Sequence, residues 1–223
     1  MCLPPGFHTL LLKKLPISEV ELIQTQKQIN LLLIEDNRLL REGWEMILEA
    51  EPEFKITGSY GCCEDAFKCA SIGTADIIIM DINLPGISGI EGIKLLRCKN
   101  PAASVVMCSN YEDDENIFSS ILAGVIGFIA KKTPPTELIK TIKIYVEGGS
   151  TLSPEIAKKI IIHSQLQSHG GDRKEYGLLP EDFTLLNLVS LGKSLQTIAD
   201  TLSLSVLDVK KLVRNIYKKL QMN

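Results

Sequence analysis

The sequence lacks the features that mark membrane proteins and strongly basic proteins. None of its apolar runs approaches the ~18 residues that a membrane-spanning helix needs. The short apolar run at 10–12 is followed at once by two lysines, without the small-residue cleavage site of a secretory signal. The formal net charge of −3 excludes a strongly basic protein, although a small basic module can lie within it. We therefore expect a cytoplasmic protein that does not associate with membranes.

Zinc-binding spacings are also missing. The chain has six cysteines and three histidines, but no two cysteines are separated by two residues, and the histidines lie apart from them. Cys62 and Cys63 are neighbours in sequence, which is a poor start for a structural disulfide. We expect these thiols to be reduced, as they are in a cytoplasm.

The most informative stretch is a short apolar run at 77–80 that is followed directly by Asp81. The run is too short for a helix and rich in β-branched residues, which is typical of a parallel strand buried on both faces. Pro85, Gly86 and Gly89 then break the chain into a loop. The pattern predicts a carboxylate at the carboxyl end of a central strand, where open α/β sheets place their ligand sites.

Apolar strands and amphipathic helices alternate from residue 29 onward. This alternation predicts an α/β domain at 29–147, with a doubly wound, flavodoxin-like sheet of five parallel strands. The strands are expected at 29–34, 55–60, 77–80, 104–108 and 127–130, and the helices at 38–49, 63–71, 89–98, 116–123 and 135–147.

Three further segments flank this domain. Residues 1–28 are expected to be poorly ordered, with one short helix near 18–23. Residues 148–177 should contain a helix near 154–163 and then a polar linker. Residues 178–223 are predicted to form a small all-α domain with helices near 180–191, 194–202 and 205–220.

Polar side chains follow four of the five predicted strands: Glu35 and Asp36, Asp81, Ser109 and Lys131. The carboxyl ends of neighbouring parallel strands meet at one edge of the sheet, so we expect the three carboxylates to converge. Their mutual repulsion is unfavourable unless a cation binds between them. Oxygen ligands of this kind suit Mg²⁺. A carboxylate nucleophile, a divalent ion and a lysine are sufficient to accept a phosphoryl group. Each residue alone could be a helix cap or a solvated side chain, but their common position favours a site.

Residues 29–147 resemble a response-regulator receiver domain. The resemblance rests on the acidic pair Glu35-Asp36, on Asp81 with Pro85 and Gly89 at the family's spacing, on Ser109, and on the run from Gly127 to Lys131. It implies that a histidine kinase phosphorylates Asp81. It also implies a Mg²⁺ site made by Glu35, Asp36, Asp81 and the main-chain oxygen of Asn83.

The same resemblance implies a switch. Ser109 would move towards the phosphoryl group, Phe128 would rotate inward, and Lys131 would face the same pocket. The family more often has Thr at the place of Ser109 and Tyr at the place of Phe128, and both replacements keep the needed chemistry. Lys131 is followed by Lys132 and Thr133 rather than directly by proline.

A metabolic enzyme is the first alternative. Phosphatases of the haloacid-dehalogenase type also use an Asp nucleophile after a strand, but they need a second Asp two residues later as general acid. That position is Asn83 here, and the chain has no Gly-x-x-x-x-Gly-Lys loop for a nucleotide. We therefore expect no enzyme activity beyond Mg²⁺-dependent self-phosphotransfer and autodephosphorylation.

The C-terminal segment has the pattern of a helix-turn-helix. A short turn at 202–205 separates two predicted helices. The last helix has an apolar stripe, and its other side carries Lys210, Lys211, Arg214 and Lys218. From Leu178 onward, six basic and four acidic side chains give a net charge of +2. A basic stripe on such a helix indicates DNA binding, with a solvated face on a small bundle as the alternative.

This segment resembles the LuxR-type helix-turn-helix, and the whole chain is similar to a NarL/FixJ-type response regulator. The matching residues are Leu178-Leu179-Pro180, Leu186, Gly192, Ser194, Ile198-Ala199, Leu202, Ser205, Val209-Lys210, Asn215-Ile216 and Lys219-Leu220. The resemblance implies that the last helix reads the major groove. The chain departs from the family at Asp208 (usually Thr), at Leu212 (commonly His) and at Asn223, where the sequence stops before the family's fourth helix.

Two functions remain open. In the first, phosphorylation of Asp81 switches a transcription factor, either by releasing the helix-turn-helix or by promoting the pairing of two chains on DNA. In the second, the chain is a phospho-switched signalling adaptor whose C-terminal helices bind a protein instead of DNA. Salt sensitivity separates them, because contacts with DNA phosphates weaken steeply as salt rises.

Overall fold

The computed structural model describes residues 28–110, 114–166 and 176–222. The short helix expected near 18–23 and most of the expected polar linker lie outside these residues.

Five parallel strands form a single sheet in the order β2-β1-β3-β4-β5. Their bounds are β1 Ile29–Ile34, β2 Phe54–Tyr60, β3 Ile77–Asp81, β4 Ser104–Ser109 and β5 Gly127–Ala130. The strand order places β3 at the centre, next to β1 and β4. The predicted doubly wound sheet is confirmed, and the strand that ends in Asp81 is its central strand.

The α/β segment (29–147) carries five α-helices within its described residues: α1 Arg38–Glu49, α2 Cys63–Lys68, α3 Gly89–Lys99, α4 Asp114–Ala123 and α5 Pro135–Val146. Four more follow: α6 Pro154–Leu166, α7 Pro180–Ser190, α8 Leu195–Leu202 and α9 Val206–Gln221. We call residues 176–222, with α7 to α9, the C-terminal helical segment.

Alternating residues of each strand divide the core between the two faces of the sheet. Leu31 and Leu33 of β1 point to the side of α1 and α5, where they pack with Trp44. Leu32 and Ile34 point to the opposite side, where α2, α3 and α4 cover the sheet. Both faces are buried because each βαβ crossover lays a helix on the sheet.

One predicted helix is shorter than expected. The pattern predicted a helix over 63–71, but α2 ends at Lys68 because Cys69 takes an extended backbone conformation. A single 3-10 turn, Ala70–Gly73, follows. The buried Asn100 side chain fixes this turn, donating hydrogen bonds of 3.0 Å to the Ile72 carbonyl and 3.1 Å to the Ala75 carbonyl. This long-range contact overrides the local helical pattern.

Helix α6 joins the two segments into one continuous hydrophobic core. Its buried residues Ile156, Ala157 and Ile160 belong to the same cluster as α4 and the C-terminal helical segment. The ring of His163 stacks on Phe118 of α4, with centroids 4.2 Å apart. Helix α9 also packs against α4. The expected helix near 154–163 is therefore an interface element rather than part of a free linker.

Within the described ranges, no helix combines the length and the apolar character needed to cross a membrane.

Gly89 provides a test of how closely the loop after β3 is packed. A Cβ at Gly89 would lie 2.1 Å from the Asp81 carbonyl oxygen. We expect Gly89→Ala to lower the free energy of unfolding by about 1–3 kcal/mol, as overpacked sites do. Gly43→Ala is the matched control. Its Cβ would meet nothing within 4 Å in α1, so it should stabilise by about 0.5–1 kcal/mol. Urea unfolding measures both, and equal effects of the two changes would contradict the close packing.

Candidate functional site

The three predicted carboxylates converge at one edge of the sheet. Ligand oxygens of Glu35, Asp36 and Asp81 all lie within 4.8 Å of one another. Strands β1 and β3 are neighbours, so the residues that end them meet. Glu35 and Asp81 are each only 2% exposed, whereas Asp36 is exposed to solvent. The convergence expected from the sequence is confirmed.

Lys131 offsets part of this negative charge. It follows β5, and its Nζ lies 2.7 Å from Asp81 Oδ2 and 2.9 Å from Glu35 Oε1. Burial alone would lower the pKa of Lys131, but the hydrogen bonds to Asp81 and Glu35 outweigh it and raise that pKa well above its usual value. The ammonium therefore stays charged and tied to both carboxylates.

Glu35 is held in place by backbone contacts. Its Oε1 accepts a hydrogen bond of 3.1 Å from the Asn37 N–H, and its own N–H donates to the Tyr60 carbonyl. Burial, reinforced by the charge of Asp81, raises the pKa of Glu35 despite the hydrogen bond from Lys131. Its second oxygen, Oε2, is buried without a hydrogen-bond partner. An unpaired buried carboxylate oxygen beside two other carboxylates is the environment that a bound cation would relieve.

The other predicted residues of this site lie around the same edge. Asn83 is exposed in the loop after Asp81. Ser109 is the last residue of β4, next to Asp81 in strand order. The Phe128 ring is 3% exposed and packs in the core on the side of α2 to α4. Its carbonyl accepts a hydrogen bond of 3.1 Å from the Tyr145 hydroxyl.

The four basic residues of α9 are not equally accessible. Lys211 and Lys218 are exposed, while Lys210 and Arg214 are half-buried. The Cβ of Lys210 lies next to Gly149, and Arg214 Nη1 is buried without a hydrogen-bond partner. The apolar stripe faces inward, with Val209, Val213 and Leu220 fully covered. Helix α9 thus turns part of its basic side towards the α/β segment.

Two contacts of α9 were missed by the sequence analysis. The Tyr217 hydroxyl donates to the Thr151 carbonyl at 3.2 Å, and Gln221 Nε2 donates to the Val125 carbonyl at 2.7 Å. Tyr217 lies four residues after Val213, so its helical spacing with the apolar stripe was a signal that it is buried. Nothing in the sequence indicates its partner, because 66 residues separate the two.

Asp208, which departs from the LuxR-type pattern, has a structural use. Ser205 caps α9: its Oγ accepts from the Asp208 N–H at 3.1 Å and donates to Asp208 Oδ2 at 2.7 Å. The hydrogen bond from Ser205 holds the pKa of Asp208 below its usual value. A carboxylate in the first turn also suits the positive end of the helix dipole.

The fold and the acidic edge define the class of protein, and comparisons with known proteins agree. The family model for the response regulator receiver domain matches residues 31–143. The chain therefore belongs to the response regulators and carries their receiver domain.

Relatives extend this similarity beyond the receiver. The chain is 30% identical over 196 residues to the transcriptional regulatory protein MctR of Rhizobium johnstonii, covering 86% of this chain and 87% of that protein. A LuxR-family response regulator from Aurantimonas sp. SI85-9A1 has 26% identity and a TM-score of 0.54, covering 61% of this chain and 97% of that one. The RcsB–DNA complex, with 18% identity and a TM-score of 0.54, covers 87% of this chain and 92% of that one, and shares the fold. The resemblance seen in the sequence is confirmed.

Lys131→Met tests the charge balance at the acidic edge. Glu35 and Asp81 would then face each other without a cation, and we expect a loss of about 2–4 kcal/mol in the free energy of unfolding at pH 7.5. The loss should shrink as the pH falls, because protonated carboxyl groups no longer repel each other. Lys132→Met, an exposed neighbour, should change stability by less than about 0.5 kcal/mol. Urea unfolding at two pH values measures this, and a pH-independent loss would contradict the electrostatic origin.

Proposed function

We propose that this response regulator is a DNA-binding transcription factor controlled by phosphorylation of Asp81. One observation carries the proposal: a buried carboxylate at the end of the central strand lies 2.7 Å from a lysine and beside two further carboxylates. The phosphoryl donor we infer is a histidine kinase. The proposal includes self-phosphotransfer and autodephosphorylation but no metabolic activity.

In this reaction, an oxygen of Asp81 attacks phosphorus and forms an O–P bond while the N–P bond to the donor's phosphohistidine breaks. The imidazole leaves with the bonding pair and takes up a proton. The fixed Lys131 ammonium stays next to Asp81 and offsets the negative charge of the acyl phosphate. Ser109, at the end of the neighbouring strand, is the hydroxyl that we assign to contact the phosphoryl oxygens.

The donor set fits a hard divalent cation. We assign Mg²⁺ to Glu35, Asp36, Asp81 and the main-chain oxygen of Asn83, and the unpaired Glu35 Oε2 supports this assignment. When bound, Mg²⁺ would neutralise the phosphoryl oxygens during transfer.

Acetyl phosphate provides a direct test of this site. With Mg²⁺, the intact protein should gain the mass of one phosphoryl group, and the gain should be lost in Asp81→Asn and when Mg²⁺ is removed. Glu35→Gln should reduce it strongly, because a metal ligand is removed. Asp65→Asn, an exposed carboxylate on α2, is the control that should behave as the parent. Phosphorylation of Asp81→Asn at the same peptide would show that the acceptor is wrong.

The C-terminal helical segment supports the DNA-binding part. Ser203 ends α8 in the left-handed conformation and Ser205 caps α9, which together form the tight turn of a helix-turn-helix. MctR, the relative described above, is named a transcriptional regulatory protein, and RcsB has been solved with DNA. We assign the DNA contacts to Lys210, Lys211, Arg214 and Lys218.

Helix α9 must leave the receiver before all four bases can reach DNA, since Lys210 and Arg214 are half-buried. A set of hydrogen bonds connects its position to the switch strand. The Phe128 carbonyl accepts from Tyr145 and from Thr151 Oγ1, and the Thr151 carbonyl accepts from Tyr217 of α9. The Phe128 ring already lies in the core, so the inward rotation expected from the sequence has no room to act as the switch here. We propose instead that phosphorylation shifts the backbone of β5 at Phe128, disturbs this set, frees α9 and allows two chains to pair on DNA.

A signalling adaptor is the second candidate. Asp208 would repel a DNA phosphate, and Lys210 and Arg214 are already half-buried against the rest of the chain, which supports a role for this side of α9 in contacts with protein. In this alternative, activation exposes α9 to a protein partner.

Fluorescence anisotropy with DNA at two salt concentrations separates the two candidates. With beryllofluoride and Mg²⁺ in place of the phosphoryl group, we expect tighter, sequence-selective and salt-sensitive binding. Lys211→Gln should reduce the slope of log affinity against log salt by about 1, the expected effect of one lost phosphate contact. Lys140→Gln, an exposed base on α5, should leave the slope unchanged. No selective binding by the loaded protein would favour the adaptor.

A further inference from the structure

A cavity of about 350 Å³ lies between the receiver and α9. It is bounded by the starts of β4 and β5, so it is at the edge of the sheet opposite Asp81. Three basic side chains line it: Arg97 of α3, and Arg214 and Lys218 of α9. The volume falls within the range of pockets that hold small ligands, roughly 300–1,000 Å³.

The charge in this cavity is not balanced by the residues that the structure describes around it. None of the side chains lining the cavity is acidic. Arg97 donates to the backbone carbonyls of Pro101, Ala103 and Gly124, at 3.1, 2.9 and 2.5 Å. Neutral carbonyls satisfy these donors, but they leave the positive charge of the guanidinium without a counter-charge.

Arg214 is in a less favourable position. Its Nη1 is buried and has no hydrogen-bond partner. Burial lowers the pKa of Arg214, Tyr145 opposes this effect, and the positive charge of Arg97 adds a smaller lowering. Water in the cavity would not supply the missing negative charge.

We propose that this cavity binds a small phosphate-bearing ligand whose oxyanion bridges Arg97 and Arg214, with Lys218 at the rim. The planar guanidinium groups match the oxygens of phosphate, and three bases suit a doubly charged anion better than a single carboxylate. The cavity exceeds the volume of inorganic phosphate, so a phosphorylated metabolite with a short organic part fits as well.

The bridge would join the two segments, because Arg97 belongs to the receiver and Arg214 to α9. A bound anion therefore holds α9 in the docked position and occupies two of the bases assigned to DNA. This regulatory consequence rests on the proposed function, whereas the binding site itself does not. Anion binding and Asp81 phosphorylation would act on α9 in opposite directions.

Isothermal titration calorimetry on the full chain, without Mg²⁺ and without DNA, tests the site. Inorganic phosphate and glycerol phosphate are the two probes, titrated at an ionic strength matched with chloride. We expect saturable binding of one anion per chain by at least one probe, and the tighter probe identifies the source of the phosphate group. Asp81→Asn should bind equally well, which separates this cavity from the phosphorylation site.

Arg214→Gln should weaken binding by about tenfold or more, because a charge-assisted hydrogen bond is lost. Lys211→Gln is the matched control: it removes one charge from the same helix, but it does not line the cavity, and it should change affinity by less than about twofold. Arg214→Lys keeps the positive charge but loses the planar, forked geometry of the guanidinium. Its affinity for the anion should therefore lie between those of Arg214→Gln and Lys211→Gln. Heats that do not saturate, or equal binding by Arg214→Gln, would overturn the proposal whatever the outcome with DNA.

Discussion

The receiver is organised around an electrostatic constraint: three carboxylates meet at one edge of the sheet against a single lysine. Lys131 contacts Asp81 and Glu35 directly, but one ammonium cannot offset three negative charges. Burial, with a lesser contribution from the charge of Asp81, raises the pKa of Glu35, and its Oε2 has no hydrogen-bond partner. A site built in this way is less stable than an apolar edge would be, and charged groups held in such an unfavourable environment are typical of functional sites.

The acidic edge and α9 lie at opposite ends of the sheet, so a signal between them must cross the receiver. Strand β5 spans this distance, with Lys131 just after its end and the cavity residue Ile126 just before its start. Helix α4, which covers one side of the sheet, and helix α6, which packs against α4, both belong to the core shared with α9. The hydrogen bonds through Tyr145, Thr151 and Tyr217 add a directional contact to this packing. A small shift of β5 would therefore change the packing of α9, because packed interfaces deform little before they rearrange.

The sequence was sufficient to predict the parts of this structure that depend on local pattern. Short β-branched runs predicted the strands, and the residue after each run predicted Glu35, Asp81 and Lys131 as neighbours, since parallel strands end at one edge. What it could not predict depends on contacts between distant segments. Asn100 ends α2 early by holding the turn at 70–73, and Thr151 binds Tyr217 across 66 residues. The placement of Arg214 belongs to the same group: the helical pattern puts it on a basic side, and only tertiary packing turns that side inward.

Arg214 also bears on how firmly α9 is docked. A buried guanidinium without a counter-charge opposes docking, while the apolar contacts with α4 and the bonds of Tyr217 and Gln221 favour it. The net free energy of docking is the small difference between these opposing contributions. A change of about 1.4 kcal/mol in it alters the ratio of docked to free α9 tenfold. The unbalanced charge at Arg214 therefore weakens docking, and in the proposed switch a group that neutralises this charge would make release of α9 more costly in free energy.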